Sequence, residues 1–295
     1  MTDDGPILVP QPIILLGATS LIGQALVALA DRPALICVSR SASDGRALRP
    51  GDTWIQADLS TPWDADGSGG AVSALGLAPI WVVAAAAPDL ARQGVRRIVA
   101  FSSTSRWTKQ ASPDPAERKV AQSLADGEAA FIAACEDHGV AWTLLRPTLI
   151  YLEGRDGNVS RLAGLIRRLG VLPLAGQGGG LRQPVHAEDL ALAALAALVR
   201  PETQGRAYDL PGGETLSYRA MAVRIFESLG RPPRVLSLPP WLWALAFAVA
   251  RPFLPGATAT MGSRMETDLT FDGSAAEQDF SWRPRRFCPR FPDAA

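Results

Sequence analysis

The chain has 295 residues, 47% of them hydrophobic, with 29 Lys plus Arg against 29 Asp plus Glu. A formal charge of zero leaves no basic excess for nucleic acid, and the length suits one large α/β domain or a domain with a smaller lobe. Cys37, Cys135 and Cys288 are odd in number and far apart, which argues against a disulfide framework or a zinc site. With no export signal read at the N-terminus, a cytoplasmic protein is expected.

Ile13 to Leu16 is a short apolar run that ends in a glycine-spaced turn, Gly17-x-x-Ser20-x-x-Gly23. It feeds an Ala/Leu-rich helix from about Leu21 to Ala30. Strand, turn and helix in that order suit a dinucleotide. Glycine lets the backbone approach a pyrophosphate, and the helix N-terminus offers it free N–H groups and partial positive charge. Ser20 stands where a middle glycine is usual, and a tight turn with no ligand is the bland alternative.

Ala34 to Ser39 and Thr53 to Gln56 read as the second and third strands. Ile80 to Val83 has the look of a buried strand, but the clear strand at Arg97 to Phe101 follows closely. A parallel crossover needs about a dozen residues. The fourth strand is therefore placed at Ala71 to Leu75, with Pro79 opening a crossover helix that Pro88 kinks and Gly94 closes. A long helix from Pro115 to Asp137, stopped by Gly139, precedes a strand from Ala141 to Arg146.

Beyond Tyr151 the rhythm changes. A helix from Arg161 to Arg168, a glycine-rich loop from Gly176 to Gly180, a strand from Gln183 to His186 and a helix from Asp189 to Val199 follow. The remainder reads as irregular, with proline-rich joints. The alternation predicts an α/β fold, a Rossmann-like doubly wound parallel sheet with a small C-terminal substrate lobe. Residues 1–150 would form the dinucleotide-binding domain, and 151–295 lobe segments interleaved with the end of the sheet. Trp241 to Ala250 is apolar on all sides but too short for a bilayer, which needs about 20 residues. A buried lobe helix is one reading; contact with a membrane surface, a partner or a lipid-linked substrate is the other.

Several segments in order resemble the extended or atypical short-chain dehydrogenase/reductase superfamily, of the NAD-dependent, nucleotide-sugar epimerase/dehydratase type. They are Gly17 to Gly23, Ala57-Asp58-Leu59, Phe101 to Ser105, Leu145 to Tyr151, Arg182 to Leu190 and the tail Asp268 to Arg285. The resemblance implies that Gly17, Thr19, Ser20, Leu21, Ile22 and Gly23 cradle the pyrophosphate of NAD or NADP. It sets Asp58 and Leu59 against the adenine, turns Ser102, Ser103 and Thr104 to the ligand crevice, and makes Pro147 to Ile150 flank the nicotinamide. Ser39-Arg40-Ser41 has no carboxylate for a ribose 2′-OH, and Arg40 suits a 2′-phosphate, so NADP is preferred over NAD. A nucleotide-linked or lipid-linked sugar is the implied small-molecule substrate.

One departure matters. Members of that superfamily use a Tyr-x-x-x-Lys pair for proton exchange. Tyr151, Tyr208 and Tyr218 are the only tyrosines here, and none has lysine four residues on. Aligning on Ala125 to Glu128 puts Val120 and Leu124 at the two positions. Three explanations stand open. Another group serves: Ser103, Thr104 and Tyr151 form the expected catalytic set, with Arg106, Lys109, Lys119 and His186 as further candidates. The dinucleotide is bound without turnover, as in a redox sensor, an assembly factor or a complex subunit. Or the reaction needs no protein acid. No metal-ligand spacing is seen. The expected function is an NAD(P)-binding oxidoreductase or epimerase/dehydratase-like protein, with the silent binder as the alternative.

Overall fold

Four buried residues start the sheet. Strand β1 (Ile13–Leu16) has every side chain fully covered, and its neighbours divide by parity. Ile13 and Leu15 join one core, Ile14 and Leu16 the other. An apolar run buried on both faces is what a parallel sheet between two helical layers requires. The computed structural model describes residues 12–41, 48–59, 61, 63, 70–239, 241–243, 245 and 260–291. Residues 64–69 and most of the apolar stretch ending at Ala250 lie outside these residues.

Seven strands form the central sheet: β1, β2 (Leu35–Ser39), β3 (Thr53–Gln56), β4 (Ser73–Gly76), β5 (Arg97–Phe101), β6 (Ala141–Pro147) and β11 (Arg206–Leu210). Their spatial order is β11-β6-β5-β4-β1-β2-β3, and every pairing is parallel. The order reverses between β1 and β4, which opens a crevice at the carboxyl ends of the strands. Helices α1 (Leu21–Ala28) and α6 (Ala187–Val199) cover one face, α2 (Ile80–Arg92) and α4 (Pro115–Asp137) the other.

Ile80 to Val83 is helical, as the crossover length required, and Pro79 sits at the N-cap. Helix α4 keeps its predicted bounds because Asp114 caps it, accepting from Ala116 N at 2.8 Å, and Pro115 occupies the first turn. Gly127 lets α2 and α4 meet closely: a Cβ there would lie 2.8 Å from Ile80 Cγ2.

The reading of the C-terminal part as irregular is corrected. Residues 206–210 return to the sheet as its edge strand, paired with β6 from Arg206 opposite Thr143 to Leu210 opposite Pro147. The predicted strand from Gln183 to His186 is two pieces, β9 (Leu181–Arg182) and β10 (Val185–His186), separated at Gln183-Pro184. Proline cannot donate to a ladder, so the chain changes partner there. Strand β10 pairs with β7 (Ile150–Tyr151), and β9 with β12 (Leu216–Ser217). Strands β8 (Leu172–Ala175) and β13 (Val235–Leu238) pair with each other. Helices α5 (Val159–Leu169) and α7 (Tyr218–Ser228) pack with β8 around a third, separate core that contains Ile166, Leu174, Ile225 and Phe226. This lobe stands over the carboxyl ends of the strands and positions the second half of the site.

Candidate functional site

The turn after β1 is held by the protein's own packing. Gly17 has φ +89°, and a Cβ there would approach Ala78 N to 2.6 Å, so only glycine fits. Ser20 caps α1, its hydroxyl accepting from Gly23 N at 3.1 Å. Serine replaces the usual middle glycine without disturbing the helix start.

Two cavities flank this turn. The first, of about 400 Å³, is lined by Gly17, Thr19 and Ser20, by Ser39 and Arg40 at the end of β2, and by Asp58 and Leu59 beyond β3. Ala78, Pro79 and Trp81, at the entry to α2, close its far wall and were not singled out from sequence. Their signal was present in Pro79, which fixes where α2 begins beside the crevice. Arg40 is exposed, and Gln56 Nε2 donates to its carbonyl at 3.1 Å.

The second cavity, also about 400 Å³, begins at Leu21 on the other side of the same turn. Ser103, Thr104, Thr108 and Lys109 line it from the segment after β5. Thr148 and Ile150 enter from the end of β6, and Asn158, Arg182, Gln183, Arg264 and Phe271 come from the lobe. Thr104 is tied down, its Oγ1 donating to Pro147 O at 3.1 Å. Ser103 Oγ accepts from Ser105 N at 3.1 Å, two residues on, at the entry to the short helix that follows. Burial, with Arg264 nearby, holds the Lys109 amine below the usual lysine range, against the opposing pull of Glu117 and Asp114. Arg182 is occupied by the lobe itself, donating to the carbonyls of Leu181 and Thr267 at 2.7 Å each.

The structure thus divides the expected residues. Gly17, Thr19, Ser20, Arg40, Asp58 and Leu59 meet in the first cavity; Leu21, Ser103 and Thr104 line the second. Ile22 and Gly23 face inward on α1, and Pro147 is buried beneath Thr104. Ser102 turns away from both cavities to donate to Glu128 Oε1 at 2.6 Å. Tyr151 is buried at 1% exposure, its ring edge-on to His186 and Phe287 at 5.0 and 5.1 Å. Burial, then the Glu153 carboxylate, pushes its phenol well above the ordinary range, so the lobe core holds it protonated. His186 caps α6, accepting from Glu188 N at 3.2 Å through Nδ1, while Nε2 sits 3.1 Å from Glu153. Arg106 and Lys119 line a different depression on the outer side of α4, away from Ser103.

Glu128 is the main feature that sequence reading missed. It is fully buried and accepts from Ser102, from Arg146 Nη2 at 2.7 Å and from Arg106. Burial works to raise its pKa, but the hydrogen bonds from Arg146 and Ser102 outweigh it and hold the carboxyl below the usual range. Trp107 lies under both guanidinium groups, 4.5 Å from Arg106 and 5.6 Å from Arg146. The cluster fastens α4 to the carboxyl ends of β5 and β6. Leu124, one turn before Glu128, belongs to the core of that layer, whereas Val120 is exposed.

This arrangement, two cavities across a phosphate-type turn at the reversal of a parallel sheet, defines a Rossmann-like protein of the dinucleotide-binding class. Residues 80–210 match the NAD dependent epimerase/dehydratase family. That match covers less than half of the chain, whose fold as a whole is that of solved nucleotide-sugar epimerases. The chain is 34% identical over 159 residues to a (4-alkanoyl-5-oxo-2,5-dihydrofuran-3-yl)methyl phosphate reductase of Streptomyces griseus, a match covering 52% of this chain and 48% of that protein. It is 32% identical over 112 residues to the NADH dehydrogenase [ubiquinone] 1 alpha subcomplex subunit 9 of Arabidopsis thaliana, covering 37% of this chain and 27% of that subunit. The match thus spans about half the length of the reductase and less of the plant subunit. UDP-glucuronic acid 4-epimerase from Bacillus cereus, solved with UDP-glucuronic acid and NAD, has the same fold, with TM-score 0.70 at 14% identity over 93% of this chain and 94% of that one.

Proposed function

We propose that the chain is an NAD(P)-binding oxidoreductase of the epimerase/dehydratase type that acts on a small molecule carried in the second cavity. The observation behind this reading is the pair of cavities that share the Gly17–Leu21 turn. A dinucleotide laid across that turn has its adenosine half against Asp58 and Leu59 and its pyrophosphate at Gly17, Thr19 and Ser20. Its other end then reaches Ser103, Thr104 and the Pro147–Ile150 segment. When bound, the nicotinamide supplies hydride exchange. The family's description as NAD dependent and the neighbouring epimerase's complex with NAD support a nicotinamide dinucleotide. Arg40 at the wall of the first cavity supports NADP over NAD, because a guanidinium pairs a 2′-phosphate through charge-assisted hydrogen bonds. A nucleotide-linked sugar is the substrate class that the neighbouring epimerase supports, and a lipid-linked sugar stands beside it from the sequence reading.

The second reading is a dinucleotide binder without turnover, a redox sensor, assembly factor or complex subunit. The absence of the tyrosine/lysine pair and the similarity to the plant complex subunit favour it. An open polar cavity at Ser103 and Thr104, which neither Val120 nor Leu124 lines, favours the enzyme. Titration of NADPH and NADH by calorimetry tests the cofactor reading. NADPH is expected to bind more tightly, and Arg40→Ala to weaken it at least tenfold while leaving NADH unchanged. No binding of either dinucleotide overturns the proposal.

A further inference from the structure

Seven groups stood as acid/base candidates in the sequence, and the structure separates them. Tyr151 and His186 are committed to the lobe core, and Arg106 and Lys119 to a depression outside the cleft. Ser103, Thr104 and Lys109 share the second cavity. Of these, the two hydroxyls are engaged with backbone: Ser103 accepts from Ser105 N and Thr104 donates to the Pro147 carbonyl. The described residues lining this cavity are otherwise apolar, amide-bearing or hydroxyl side chains and two arginines, with no Asp, Glu, His, Cys or Tyr among them. Arginine stays protonated under all ordinary conditions. Lys109 is therefore the lining side chain able to give up and regain a proton.

We propose that Lys109 is the group that exchanges a proton with the substrate oxygen in this cavity. The inference rests on the oxidoreductase reading above and deepens it. In the direction of carbonyl reduction, the proton passes from Lys109 Nζ to the oxygen as the carbonyl becomes a hydroxyl, and the amine then regains a proton from water. The accompanying hydride belongs to the nicotinamide dinucleotide. In the direction of oxidation, the neutral amine takes the hydroxyl proton.

The surroundings suit that role. Lys109 closes the short helix after β5, its N–H donating to Ser105 O at 3.2 Å, so its backbone is fixed beside Ser103 and Thr104. Arg264 and Arg182 reach the same cavity from the lobe, while Asp114 and Glu117 face Lys109 from the start of α4. Glu117 is itself engaged, 3.2 Å from Arg264 and accepting from Ser112 Oγ at 2.6 Å. Burial and Arg264 together lower the amine towards the range in which a general acid works best, and the two carboxylates oppose them.

Sequence makes the test clean, because Lys109 and Lys119 are the only lysines. Both lysine amines of the full chain are labelled by ¹³C reductive dimethylation, assigned with Lys109→Arg and Lys119→Arg, and titrated by NMR. Lys109 is expected to titrate at least one pH unit below Lys119, and its midpoint to move on saturation with NADPH. At neutral pH, pyridoxal 5′-phosphate followed by borohydride is expected to label Lys109 at least tenfold more than Lys119 by mass spectrometry. An ordinary lysine midpoint near pH 10.4 for both residues, or equal labelling, overturns the proposal. If calorimetry shows no dinucleotide binding, the oxidoreductase reading itself has failed, and the Lys109 titration is then judged without it. If dinucleotide binds and Lys109 behaves like Lys119, the cofactor reading survives and Lys109 is excluded.

Discussion

Strand β5 has a buried ionised side chain at each end, and the two are solved differently. At its start, Arg97 is buried with no carboxylate of the described residues paired to it. Its guanidinium donates to Thr143 Oγ1 at 2.6 Å, Thr203 Oγ1 at 2.7 Å and Ala197 O at 2.9 Å, while Nε has no partner. Burial pulls its pKa down to about 10. Beyond its end, Glu128 has two arginines and a serine around it. Neutral acceptors suffice at the amino end, where the arginine joins β6, α6 and the following turn. At the carboxyl end a full ion cluster sets the wall of α4 against the strands that carry Ser103 and Thr148. The difference separates a tie made with neutral acceptors from an ion cluster that sits beside the segments lining the second cavity.

Breaking the carboxyl end should cost most. Glu128→Ala leaves Arg106 without its carboxylate and Arg146 with Asp209 at 3.9 Å, and a loss of about 3–5 kcal/mol is expected in urea unfolding. A loss below about 1 kcal/mol would mean that water reaches the cluster. The amino end should tolerate more. Arg97→Met removes a charge with no partner of opposite sign and leaves Thr143 and Thr203 bonded to each other at 3.2 Å. Its cost is expected at about 1–2 kcal/mol, from the bonds lost to Thr143 and Thr203, since the Ala197 carbonyl keeps Thr203 Oγ1 as a donor at 2.8 Å. Equal losses in the two variants would remove the contrast.

The smallest effect is on pH dependence. Glu128 has a depressed pKa in the folded chain, so its contribution is present above about pH 4.3, the unfolded value, and lost as pH falls through the folded value. Glu128→Gln should therefore flatten the acid side of the stability curve, whereas Arg97→Met should leave it unchanged. Chemical denaturation between pH 3 and pH 7 measures both slopes.

How much of this was legible depends on how local each signal is. The turn at Gly17 and the start of α1 at Leu21 were readable, because a positive φ and a helix start are decided within a few residues. The bounds of α4 were readable for the same reason, with Asp114 and Pro115 at one end and Gly139 at the other. The crossover helix at Ile80 followed from chain length against strand spacing. The strand at Arg206 was missed, since five residues with exposed Arg206 and Ala207 give little pattern, and only β6 makes them a strand. Glu128 carried no mark of its role, because its partners come from residues 102, 106 and 146 on other elements.

The sequence alone determined the β1–turn–α1 unit, the parallel α/β class and the lack of a tyrosine/lysine pair, all matters of near neighbours or of residues simply absent. The tertiary structure decided which side chains share a cavity. It sent Tyr151 into the lobe core and brought Arg182, Gln183 and Arg264 to the cavity that Ser103, Thr104 and Lys109 line. The physical reason is that burial and charge proximity depend on how distant segments pack, and no spacing along the chain records that distance.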